Sequence, residues 1–171
     1  MSEAVRNGLE KSQHADDDVE LRKEALTMAL YVAICLLAAL AAVSEATAED
    51  HVFEIVWGTT VGLALAHWFA FRVSARLVAA GTVRRHDAAA AVAQLLGAVA
   101  VALLATVPAL LLPASVELEV VELVLACFIA VVGYGVSRSS GATRGRSIIY
   151  GALLLVVAGI VVGVKLALSG H

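Results

Sequence analysis

Five long apolar stretches run along this chain, and the polar gaps between them alternate between arginine-rich and arginine-free. A transmembrane helix needs about 20 apolar residues to cross roughly 30 Å of hydrocarbon. Stretches of about that length lie at residues 25–43, 52–77, 88–112, 120–136 and 147–168. Lipid offers no partner to a bare peptide group, so stretches of this kind fold as helices that satisfy their own backbone. Composition agrees: the chain is 61% hydrophobic, against roughly 45–50% for a soluble domain. A water-soluble fold this apolar would expose greasy patches that such folds avoid. The expected fold is all-α, a polytopic membrane bundle of five transmembrane helices. Residues 1–24 form a polar, partly helical N-terminal segment, and residues 25–171 form the membrane domain.

The basic residues give the expected direction. Arg6, Lys11, Arg22 and Lys23 precede the first span. Arg72, Arg76, Arg84 and Arg85 surround the second gap, and Arg138, Arg144 and Arg146 the fourth. The first and third gaps hold none, so eleven of the twelve Lys and Arg residues fall on one side. By the positive-inside rule that side is cytoplasmic. The N-terminus is then inside, the C-terminus outside, and the setting a plasma (inner) membrane crossed several times.

Leu26 to Leu40 followed by Ala46-Thr47-Ala48 has the outline of a cleavable signal. The long acidic stretch before it differs from a short basic leader, so the first span is expected to be retained. Asp16, Asp17 and Asp18 suit a helix N-terminus leading into that span, with disordered chain before them. The Ser- and Gly-rich gap from Ser137 to Arg146 reads as a flexible loop near anionic lipid. Cys35 and Cys127 stand alone in apolar runs and suggest neither disulfide nor metal.

Helices in lipid associate through close packing rather than hydrophobic drive, which favours small residues at contacts. Gly58-x-x-x-Gly62 and Gly159-x-x-x-Gly163 are the clearest seams. Packing within the chain is the plain expectation for them, and self-association the sharper one.

Ionisable residues at membrane depth are rare and face protein or water. Glu54 and Glu122 lie about one turn inside their spans from the arginine-free side, and Lys165 reaches a similar depth. They could form an ion pair, an outward-facing cation or proton site, or simply snorkel to the interface. His51 and Glu54 have an H-x-x-E spacing, too sparse to define a metal site. Nearer the arginine-rich side, His67 and Gln94 fall at a shared depth, with Gln94 the candidate partner for the histidine. Trp68, Arg72, Tyr31, Tyr134 and Tyr150 fit an aromatic belt in which Arg72 reaches phosphates.

No H-E-x-x-H, G-x-S-x-G or phosphate-binding loop is present. The net charge of -3 supplies no field for nucleic acid. Neither an enzyme nor a resident cofactor is expected, and no metal. The leading expectation is an oligomeric channel or transporter for a small cation or protons, on a path from Glu54 and Glu122 toward His67. The alternative is a non-catalytic scaffold or accessory subunit of a membrane complex. The expected partners are the lipid bilayer and further copies or another membrane subunit.

Overall fold

The computed structural model describes residues 3–43, 51–78 and 85–169. They form five helices: α1 (Glu3–Leu40), α2 (Val52–Val78), α3 (Arg85–Leu111), α4 (Ala114–Ser139) and α5 (Arg144–Ser169). All five are long and apolar enough to cross a membrane. The protein is thus all-helical and has the makings of a multi-pass membrane protein.

The helices run past the apolar stretches from which they are recognised. This is most marked in α1, whose 38 residues extend about 57 Å. Asp16, Asp17 and Asp18 lie within this helix and not at its start, which corrects the expectation of a capped helix preceded by disordered chain. Polar residues solvate a helix as readily as they end one, so the change in composition near residue 24 does not interrupt the backbone hydrogen bonds.

Helix α1 is also the centre of the bundle. It packs against all four other helices, most extensively against α3. Val32, Ala33, Leu36 and Leu40 are fully enclosed. Each neighbour turns one seam toward this core. On α3 it is Ala98, Val101, Ala102 and Ala105, and on α4 it is Val121, Leu125 and Ile129. Helix α2 adds Val52 and Val56, and α5 adds Ala158. The three- and four-residue spacing keeps each set on one face of its helix. Helix α2 packs on α1 and α3, while α5 packs on α4 and α1.

The glycines that bring helices together differ from those with the clearest sequence motif. A Cβ at Gly97 would run into the Ala25 carbonyl of α1 and lie 3.2 Å from the Ala25 Cα. One at Gly133 would stand 2.5 Å from Leu154 Cδ1 and 3.3 Å from the Gly151 Cα. By contrast, Gly58, Gly62, Gly159 and Gly163 have nothing within 4 Å of that position. The expectation that these four mediate packing inside the chain is therefore corrected. Their faces of α2 and α5 point away from the core.

The connection between α4 and α5 is a closed turn, tighter than the flexible loop its composition suggests. Ser139 and Ser140 hydroxyls donate to the Val136 carbonyl at 2.8 and 3.0 Å, and Arg138 donates to the Ala142 carbonyl at 2.7 Å. Gly141 takes φ 78°, a left-handed conformation that suits glycine. Pro113, extended at φ -69° and ψ 148°, starts α4.

Gly97→Ala forces α1 and α3 apart and should destabilise the bundle by about 1–3 kcal/mol, as overpacking does. The expected readout is a lower melting temperature of the monomer in mild detergent, with Gly58→Ala leaving it unchanged. Equal melting of the two variants would contradict the packing described.

Candidate functional site

The close approach of Ala25 and Gly97 has a polar consequence. Glu24 is the residue before Ala25, and Gln94 lies one helical turn before Gly97. With the backbones this close, short side chains bridge the helices. Gln94 Nε2 donates to Glu24 Oε2 at 2.6 Å. On its other side Gln94 Oε1 meets His67 Nε2 of α2 at 2.5 Å. Three helices are thus joined by one chain, Glu24–Gln94–His67.

The chemistry of the three groups sets the direction of both hydrogen bonds. An ionised carboxylate only accepts, so the amide must turn its NH2 group to Glu24. Its carbonyl oxygen then faces His67 and can only accept in turn. The imidazole must carry a proton on Nε2, which leaves Nδ1 as the unprotonated nitrogen of the neutral ring. Glu24 therefore selects the histidine tautomer from two residues away.

His67 also forms part of the wall of a cavity of about 650 Å³ between α2 and α3. Met28 of α1 lies in the wall, with Leu65 and Phe71 of α2 and Val92 and Leu95 of α3. Arg72 and Trp68 are the other polar-tipped members. The Arg72 guanidinium sits 5.0 Å from the centre of the Trp68 ring, a cation–π contact.

A second polar tie joins α2 and α3 closer to the arginine-free end. Trp57 Nε1 donates to Thr106 Oγ1 at 3.0 Å, while the Thr106 hydroxyl donates to the Ala102 carbonyl at 2.7 Å. Thr60 does the same to Val56 at 2.7 Å. These hydroxyls are buried but satisfied within their own helices.

The acidic residues at the arginine-free end are arranged differently. Glu54 and His51 approach to 3.8 Å, and both side chains are well exposed, at 66% and 60%. Glu117, at the start of α4, is buried and lies within the field of Glu54. Glu122 is half-buried and feels the charge of Glu119. The first turns of α2 and α4 thus share an acidic end. Among the described residues no three His, Cys, Asp or Glu side chains are placed to hold a metal ion. Lys165 belongs to α5, but its side chain, and with it the expected pairing to Glu54 or Glu122, falls outside the described residues.

Glu54 and His67 occupy nearly opposite sides of α2. The core-facing side carries Val52, Val56 and Thr60, and at 100° per residue His67 falls on it. Glu54 falls on the outward side with Gly58, Gly62 and Leu65. Glu54 and His67 therefore do not share a face of α2.

The juxtaposition of His67 with Gln94 follows from their matched depth. Glu24 and the Trp57–Thr106 bond do not announce themselves. Glu24 stands at the edge of a charged run, yet it lies one turn before Met28 and two before Val32. Extending that buried stripe backward finds it.

No family model matches this chain, and no curated protein or solved structure resembles it significantly. Its chemistry therefore rests on the residues themselves.

Gln94→Leu strands a half-buried carboxylate and should cost about 1–3 kcal/mol of stability. His67→Ala keeps the Glu24–Gln94 bond and should cost less in the same denaturation measurement. Nitrogen NMR of the imidazole provides a second reading. The Nε2–H tautomer should dominate in the parent protein and lose its dominance in Gln94→Leu.

Proposed function

We propose that this protein is a non-catalytic component of the plasma (inner) membrane that works by lateral association, as a scaffold or accessory subunit. Its arginine-bearing side faces the cytoplasm, with the N-terminus inside and the C-terminus outside. One observation carries the reading: both G-x-x-x-G faces stand free of the chain's own packing. Close contacts within the bundle use Gly97, Gly133 and Gly151 instead. A small-residue face lets another backbone approach closely, and in lipid that approach is a main source of helix association. Helix α2 is well suited to it, because its outward side continues from Gly58 and Gly62 to exposed Phe69. The occupant is a second copy or a different membrane subunit.

A second reading is favoured by the Glu24–Gln94–His67 chain. Under it the protein is an oligomeric transporter or channel for protons or another small cation. Histidine exchanges protons near neutral pH, and here it is tied to a carboxylate beside a cavity. The acidic ends of α2 and α4 would gather cations on the opposite side. Because Glu54 and His67 point to different sides of α2, a continuous route requires more than one copy.

The two readings separate experimentally. Under the association reading, Gly58→Leu or Gly159→Leu releases the partner copy or subunit in mild detergent, while monomer stability holds. Purified protein in liposomes then carries no proton flux above empty vesicles. A flux that falls about tenfold or more in His67→Ala, as loss of a general acid–base group would give, would replace that reading with transport. Tags at the two ends should be reachable from opposite compartments.

A further inference from the structure

The cavity between α2 and α3 has a shape and a charge that association does not use. Its α2 wall runs from Val61 to Arg72, a rise of about 16 Å. That is close to half of a hydrocarbon core of roughly 30 Å, or one leaflet. The wall is apolar along most of this length, with Leu65 and Phe71 facing Val92 and Leu95. The leaflet is the one on the arginine-bearing side, since Arg72 stands at the far end of the wall and α3 begins there at Arg85. A void open to the bilayer and lined this way excludes water, so an acyl chain is its natural filling.

Arg72 supplies the other half of the recognition. Its guanidinium is held at the Trp68 ring and, among the described residues, makes no ion pair. A planar, permanently charged fork matches a phosphate with two hydrogen bonds. From these features the geometry points to a specific lipid site. An anionic glycerophospholipid of the arginine-side leaflet lays one acyl chain in the α2/α3 cavity and sets its phosphate on Arg72. Met28 from the central helix backs the chain, and His67 touches it at mid-depth. The site differs from ordinary lipid contact because a single headgroup position and a single chain slot are fixed together.

Trp68 reports on this site directly. The chain has two tryptophans, so Trp57→Phe leaves Trp68 as the sole emitter, and the Thr106 hydroxyl keeps its bond to Ala102. The protein is reconstituted in phosphatidylcholine vesicles containing a small fraction of either phosphatidylglycerol or phosphatidylcholine with brominated acyl chains. The brominated anionic lipid is expected to occupy the site about fivefold more favourably and to quench Trp68 correspondingly more. Arg72→Gln should abolish the headgroup preference, and Arg72→Lys, which keeps the charge, should retain part of it. Ala91→Phe fills the cavity and should lower quenching by the anionic lipid with Arg72 intact. Equal quenching by the two lipids in the parent overturns the proposal. So does a preference that survives Arg72→Gln. A preference undiminished by Ala91→Phe places the lipid on the outer surface and overturns the cavity assignment.

Discussion

The rest of the structure depends on the enclosure of α1 by the other four helices. One side of α1, including Val32 and Leu36, is enclosed and must find its contacts within the protein, while Leu26 and Tyr31 stay exposed on the other. Its apolar part meets this with Val32, Ala33, Leu36 and Leu40, all fully buried. Its polar part cannot reach bulk solvent as freely, so Glu24 needs a donor from a neighbouring helix. The Ala25–Gly97 contact provides one by bringing α3 within side-chain reach. Close packing and polar pairing are therefore one event at this point. The glycine sets the distance, and the distance lets Gln94 reach the carboxylate.

That arrangement divides the surface of the bundle. Helices α2 and α5 each give one side to the core and leave the other bare. In lipid a bare apolar side costs nothing, so exposed Leu65 or Ile160 calls for no explanation. The informative residues are the glycines among them. Glycine lowers helix propensity without packing benefit where nothing approaches, and Gly58 and Gly62 of α2 and Gly159 and Gly163 of α5 are such positions within the spans. Their placement makes sense if another helix completes the contact. The outward side of α2 also carries Glu54, which one chain leaves exposed, so a partner there would bring its own donor or leave the carboxylate at the membrane surface.

Much of the fold was legible because lipid imposes a simple rule. About twenty apolar residues make one helix long enough to cross, and five such helices are present. The ends of the helices were harder to see. The Asp16–Asp18 run resembles a cap, yet α1 passes through it, since a solvated helix tolerates acids that a membrane span does not. Which seams close within the chain was hidden for a related reason. A G-x-x-x-G spacing says that a close contact is allowed, and only the arrangement of helices says where one is made. Gly97 has no partner glycine in that motif, but it faces an alanine on the crowded central helix. His67 and Gln94 could be matched by depth alone, because few polar groups exist at that level. Glu24 was hidden by the charged run beside it, and Thr106 by the bland appearance of a threonine in an apolar helix.

His67 belongs to two environments at once, and this links the interior of the bundle to its surroundings. Through Nε2 it holds Gln94, and through Gln94 it holds the carboxylate of the central helix. Through its ring it forms part of the cavity wall where the lipid chain is proposed to lie. Whatever fills that cavity presses on the one residue that fastens α2 to the Glu24–Gln94 pair. The amide oxygen requires a proton on Nε2, and the rest of the ring is left to the cavity wall. The packing of three helices and the cavity wall thus meet at a single imidazole, with Arg72 further along α2 in the same wall.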